Sequence, residues 1–190
     1  MAALDFYFDY SSPYAYLAQT QVRLLGVEIA WRPFEILQLM DQIGNVPTSI
    51  TCKPKGKYLG VDLQRWVAIY KVPFQRHPQG ADIDGRRLLR ATLAAAELGQ
   101  SDAAVGAIFS AYWGSGAPLA TPAEVVAVLN GGGIDAPGLL TRIDDPALDE
   151  ATAQAATRGV SGAPTMYVGD EMFFGNDRLD FVRASLGIAA

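Results

Sequence analysis

The stretch DFYFDYSSPYAYLA, Asp5–Ala18, decides the fold. Phe6 and Phe8 alternate with Tyr7 and Asp9, and aromatic content of this kind suits an extended segment. The strand runs straight into a helix at Ser12-Pro13. A serine before a proline marks a helix start: Ser12 is the natural N-cap, and Pro13 takes the first helical position, where a missing N–H costs nothing. The Ser12 oxygen is then expected among unpaired backbone N–H groups at the positive end of a helix dipole, a place that stabilises anions and thiolates. Read alone, such a Ser-Pro pair is a plain helix cap.

Working outward, the first helix spans roughly Pro13–Leu25 and stops at Gly26. VEIAWR, Val27–Arg32, alternates as a second strand and Pro33 ends it, completing a strand–helix–strand unit of about 30 residues. Residues 34–54 read as irregular, punctuated by Gly44, Pro47 and Pro54; a long loop inside a domain is usually functional or disordered. Helical spacing of Leu59, Leu63, Trp66, Val67 and Tyr70 predicts a helix over 55–71, and VPFQRHP beyond it is a loop that leaves His77 on the surface. Further helices are expected over 86–98, 103–113 and 121–129. The last opens on a capping box, Thr121 with Glu124. Gly131, Gly132 and Gly133 stop it and form no phosphate cradle, since no Lys-Ser/Thr follows.

A helix over 146–158 leads to GVSGAPTMYVGDEMFFGNDRLDFV. Thr165–Val168 and Glu171–Phe174 read as strands of a hairpin around Gly169-Asp170. Asp177 is the expected N-cap of a final helix, about Arg178–Leu186. Strands thus occur only at the two ends of the chain, with helices between. The expected architecture is α/β: residues 1–38 plus 144–190 form one domain, and 39–143 an inserted all-helical domain.

The chain has 190 residues, half of them hydrophobic, and a formal charge of −5. Without a basic run, nucleic acid and anionic membrane are not the expected partners. No apolar run nears the roughly 20 residues that span a bilayer, and MAALDFYFDY has no leader pattern, so the cytoplasm is the expected compartment. One cysteine, Cys52, excludes an internal disulfide and a two-cysteine redox cycle. With a single histidine, and no carboxylates at ligand spacing, no metal site is expected.

DFYFDYSSPYAYLA resembles the active-site start of the DsbA-like branch of the thioredoxin superfamily, where a Cys-Pro-Tyr-Cys type sequence opens the first helix. Here Ser12, Pro13, Tyr14 and Ala15 stand at those places, and both cysteines are absent. A serine in this setting resembles the 2-hydroxychromene-2-carboxylate isomerases and the related kappa-class glutathione transferases. Gly162-Ala163-Pro164-Thr165 resembles the cis-proline loop of thioredoxin folds, and FGNDRLDFV the family's second helix start.

The resemblance implies a thioredoxin-like fold with an inserted helical domain, a homodimer, and glutathione bound with its sulfur beside Ser12. It implies that Ala163 and Pro164 present backbone N–H and C=O to the tripeptide as an added strand. Asn176 and Asp177 would receive the γ-glutamyl end, and Asn45 and Lys55 would make polar contacts from a covering loop. Ser12 would donate a hydrogen bond to the thiolate and not attack by itself, because no base accompanies it.

Family chemistry implies reversible thiolate addition to a conjugated, ring-opened form of 2-hydroxychromene-2-carboxylate, rotation, and elimination to trans-o-hydroxybenzylidenepyruvate, in aromatic hydrocarbon breakdown. The small aromatic substrate would meet Tyr14, Phe34 and Trp66. One departure stands out: isomerases of this family often carry an acidic, Asp-Gly containing turn after the third helix, where this chain reads WGSGAPLATP. The alternatives are a kappa-type glutathione transferase or peroxidase, or a non-catalytic glutathione-binding module.

Overall fold

β1 (Leu4–Phe8) lies inside a four-stranded sheet. The structure, a computed structural model, describes residues 3–136, 138–141 and 144–188, with backbone only at 49 and 50. After β1 come α1 (Pro13–Val22), β2 (Ile29–Pro33), α2 (Ile36–Gln42), α3 (Thr48–Thr51), α4 (Lys53–Tyr70), α5 (Gly85–Glu97) and α6 (Ser101–Phe109). Then follow α7 (Pro122–Gly131), α8 (Asp145–Thr157), β3 (Thr165–Val168), β4 (Glu171–Phe174) and α9 (Leu179–Ser185). The strand order is β2-β1-β3-β4. β1 runs parallel to β2, with Phe6 opposite Trp31, and antiparallel to β3, with Phe6 opposite Met166. β3 and β4 form the expected hairpin.

The alternation of β1 sends its side chains into two different layers. Leu4, Phe6 and Phe8 join a large apolar cluster with Leu17, Leu88 and Phe109. Phe8 and Phe109 have ring centroids 5.4 Å apart, and Tyr10 and Phe109 4.7 Å. Tyr7 faces the other way, into a smaller cluster with Phe34, Leu39, Ala155, Val160 and Tyr167. The strand is therefore covered on both faces, as parallel strands usually are, and Asp9 just beyond it is only 5% exposed. The large cluster is continuous from the sheet into α5, α6 and α7. The expected domain limit at 38/39 falls within α2, and 143, on the other limit, lies outside the described residues.

Local side-chain caps account for four of the helix starts, those of α1, α5, α7 and α8. Ser12 accepts from the Ala15 N–H, Asp84 from Arg87 and Asp144 from Ala147, and Thr121 with Glu124 forms the complete capping box. Gly26 adopts φ 69° after a last, tighter turn over 23–25.

Four expectations are corrected. Residues 34–54 are not irregular throughout: α2 forms because Ile36, Leu39 and Met40 share a face, and Leu39 buries against Tyr7 and Phe34. The helix expected to end at Trp113 changes at Ser110 into a π-helical turn, Ser110–Ser115, a form common at functional sites. Asp177 is not a helix cap; it lies inside a 3-10 turn, Asn176–Arg178, and α9 starts after Arg178 without a side-chain cap. His77 is in a loop but only 9% exposed.

Phe109 joins the sheet layer to the helical segment through Phe8, Tyr10 and Tyr16. Phe109→Ala is expected to cost about 3–5 kcal/mol. Urea unfolding followed by fluorescence and by far-UV circular dichroism should show one earlier transition in both signals.

Candidate functional site

The chain leaves β1 and turns at Asp9, whose carbonyl accepts the Ser12 N–H at 3.1 Å. Ser12 is extended, φ −85° and ψ 110°, so its side chain folds over the first turn of α1. Ser12 Oγ accepts the Ala15 N–H at 3.2 Å and donates its own proton to the Ala163 carbonyl at 3.0 Å. The hydroxyl is thus a helix cap and, at the same time, a bridge to the loop before β3.

That loop contains the Ala163–Pro164 peptide in cis. The Pro164 carbonyl accepts the Gly175 N–H at 3.0 Å, which brings the 175–177 turn alongside. Glycine is required at 175: φ is 96°, and a Cβ would sit 2.7 Å from Asp177 Oδ1. Asn176 is 4% exposed. Its carbonyl accepts the Tyr70 hydroxyl at 2.9 Å, while its side-chain Nδ2 is buried without a partner among the described residues. Asp177 is exposed and among the described residues pairs only with neighbouring Arg178, at 2.6 Å, a surface contact worth little.

α4 supplies the facing wall. The Tyr14 hydroxyl, on α1, donates to Asp62 at 2.7 Å, and Trp66 lies against Tyr70, ring centroids 5.3 Å apart. Burial pushes the Tyr14 hydroxyl pKa upward, and the Asp62 carboxylate that accepts its hydrogen bond pushes the same way. Burial also raises Tyr70, and the charge of Asp177 acts in that direction at both tyrosines.

Ser12, Ala163, Pro164, Asn176 and Asp177 are therefore drawn together through Ser12–Ala163 and Pro164–Gly175. Asn45 meets them at the edge: its Nδ2 donates to the Ser161 carbonyl at 3.0 Å and its Oδ1 accepts the Val46 N–H. Lys55 is exposed in the first turn of α4 and makes no bond among the described residues. Seven residues before Asp62, it projects from the same side of the helix.

One sequence expectation changes in detail. The Ala163 carbonyl is not open, because it holds the Ser12 proton, whereas the Ala163 N–H has no hydrogen-bond partner among the described residues.

The aromatic wall also differs. Phe34 is fully buried in the smaller core, and Tyr14 and Trp66 belong to the α4 side. On the other side of Ser11-Ser12, the Trp113 indole N–H donates to the Tyr10 carbonyl at 2.8 Å. Phe74 stacks on Trp113 at 5.5 Å and 3°, and Tyr112 lies 5.0 Å from Trp113. His77 lies 5.6 Å from Tyr112; its Nδ1 accepts the Gln79 N–H, so Nε2 carries the proton shared with the Ala117 carbonyl. Nothing in the linear sequence pairs Phe74 with Trp113, which are 39 positions apart.

A cavity of about 360 Å³ lined by Asp5, Arg32, Arg158 and Tyr167 sits at the other end of β1. Asp5 accepts from both arginines there, and Arg158 also donates to the Gly169 carbonyl.

Fold and site define a DsbA-like thioredoxin domain with serine at the head of α1, and the sequence model of the DSBA-like thioredoxin domain matches residues 3–187. A 2-hydroxychromene-2-carboxylate isomerase of Sphingobium xenophagum is 37% identical, covering 96% of this chain and 97% of the relative. One from Pseudomonas putida is 36% identical, covering 97% and 94%. A solved 2-hydroxychromene-2-carboxylate isomerase superposes with a TM-score of 0.84 at 33% identity, covering 97% of this chain and 94% of that one. The cytosolic disulfide reductase DsbM of Pseudomonas aeruginosa, solved with GSH, shares the fold at 17% identity and a TM-score of 0.66, covering 97% and 96%. The chain belongs to the 2-hydroxychromene-2-carboxylate isomerase family.

Ser12→Ala and Ser12→Gly both lose the bond to the Ala163 carbonyl; with the cap lost as well, Ser12→Ala should lower stability by about 2 kcal/mol, and Ser12→Gly by about 1 kcal/mol. Chemical denaturation of the three proteins side by side checks this order.

Proposed function

We propose that the protein is a glutathione-dependent isomerase that interconverts 2-hydroxychromene-2-carboxylate and trans-o-hydroxybenzylidenepyruvate in aromatic hydrocarbon breakdown. The observation that carries this reading is the Ser12 hydroxyl, seated at the N-terminus of α1 and bonded to the Ala163 carbonyl of the cis-proline loop. Glutathione supplies a thiolate that adds to the conjugated substrate and leaves again once the former double bond has turned.

The residues present fit that tripeptide. Asn176 Nδ2 is a buried donor without a partner among the described residues, and such a group costs about 1–3 kcal/mol until satisfied. The free Ala163 N–H suits the ligand's backbone. Asp177 offers a carboxylate to the γ-glutamyl ammonium group, and Lys55 a cation to a ligand carboxylate.

Ser12 Oγ donates to the sulfur, and the α1 dipole lowers a thiol pKa that is about 8.5 in water. Asn45 acts at the margin by holding the Ser161 end of the loop. Residues 1–38 and 144–190 then furnish most of the glutathione seat, while the inserted segment 39–143 adds Lys55 and presents Phe74, Tyr112 and Trp113 to the aromatic substrate.

The compartment proposed is the cytoplasm, where glutathione is kept reduced. A homodimer is proposed on the exposed α4 stripe of Tyr58, Val61 and Ile69. A kappa-type transferase, sharing this seat and releasing a conjugate, is the second reading, favoured by the WGSGAPLATP turn beside the acceptor wall.

Spectroscopic assays with and without glutathione, on the chromene carboxylate and on a chlorodinitrobenzene acceptor, decide between them. Isomerisation that leaves glutathione unconsumed is the expected result; its consumption selects the transferase, and silence on both overturns both. Ser12→Ala should lose about 10²-fold or more in turnover while still binding glutathione by calorimetry. Asp177→Ala should instead weaken glutathione binding about tenfold; an unchanged dissociation constant removes Asp177 from the site.

A further inference from the structure

Asp9 is a buried carboxylate that this chemistry does not use, three residues ahead of Ser12. Its Oδ1 accepts both the backbone N–H and the hydroxyl of Ser11, each at 2.8 Å. Its Oδ2 accepts the Ile36 N–H, the first of α2, at 2.9 Å. Glu35, the N-cap of α2, makes no side-chain cap, so Asp9 does from another element what the local cap does not. A carboxylate taken this far from water is costly unless well bonded, and burial pushes its carboxyl pKa upward against those three bonds. Such an expense is unneeded for a simple turn, which Ser11 or Asn would close from the surface.

The path beyond Asp9 shows what it holds. α2 runs to the turn where Asn45 bonds the Ser161 carbonyl, two residues before Ala163. The Ala163 carbonyl bonds Ser12, whose N–H returns to the Asp9 carbonyl. Asp9, α2, Asn45, the 161–164 loop and Ser12 thus form a closed ring around one edge of the seat.

We propose that Asp9 is a positioning residue, tying the start of α2 to the Ser11-Ser12 turn so that Asn45 and Ser12 hold the cis-proline loop at the spacing a γ-glutamyl tripeptide thiol requires. This rests on the glutathione reading above. Asp9 touches neither ligand nor reacting atoms and works through the ring.

Asp9→Asn tests it selectively. The amide oxygen still accepts from Ser11, while the amide nitrogen turns a donor toward the Ile36 N–H and severs the tie to α2. Glutathione affinity is measured by calorimetry on wild type, Asp9→Asn, Asn45→Ala and the double variant, with folding checked by circular dichroism. Each single change should raise the dissociation constant about five- to tenfold, and the double variant should lie within about twofold of the weaker single, since both cut one path.

Losses that multiply, or an Asp9→Asn affinity equal to wild type, overturn the proposal; a residue that merely supports the fold gives the multiplied result. Should Asp9→Asn not fold, Asp9→Ser, whose single oxygen can take the Ser11 N–H in the same turn but not the Ile36 N–H as well, replaces it in the same cycle and is judged the same way. Wild type that binds no glutathione overturns the glutathione reading and this proposal with it. Wild-type binding with multiplied losses overturns this proposal alone.

Discussion

The structure depends on the covering of β1 from both sides. A strand whose alternate residues enter two separate apolar layers cannot slip by one position without exchanging the two sets. That constraint fixes β2 beside it through Phe6 and Trp31, and β3 through Phe6 and Met166. It therefore fixes where the strand ends. Because only four residues separate Phe8 from Pro13, the first residue of α1, the Ser12 hydroxyl inherits its position from the burial of Phe6, Tyr7 and Phe8. A reactive seat at the end of the most buried strand is held by the whole core, so the loops around it can vary without moving the hydroxyl.

The helical segment serves this arrangement from outside. Phe109 carries the sheet layer into α5 and α6, and the π-helical turn beyond it places Trp113 against the Tyr10 carbonyl. α4 faces the 175–177 turn and offers one tyrosine to the Asn176 carbonyl, while its Asp62 holds Tyr14 of α1. The seat is thus bounded by elements distant in sequence, while the hydrogen bonds that define its centre come from the two chain ends.

What could be read in advance follows the range of the forces involved. Ser12, Pro13, Thr121 and Glu124 act on backbone groups within four residues, so their patterns survive in the linear text. The hairpin at Gly169-Asp170 and the helix stop at Gly26 are equally local. α2 leaves little linear signal because its helical face is short and lies between prolines and glycines, and its stability comes from Leu39 packing in the cluster with Tyr7. Asp177 looked like a cap because an acidic residue stood before a helix, but the 3-10 turn and the Gly175 geometry direct its carboxylate outward. Asp9 read as the polar partner of an alternating strand; only the arrival of the α2 N-terminus gives its second oxygen a use. Phe74 with Trp113, and His77 with the Ala117 carbonyl, are contacts between separate loops with no local signature.

The single proton of Ser12 can serve only one acceptor at a time. In the structure it lodges on the Ala163 oxygen. A rotation about one Cβ–Oγ bond, on the picosecond-to-nanosecond scale of side-chain rotors, is enough to redirect it. Readiness here is a matter of torsion, with the main chain already at rest.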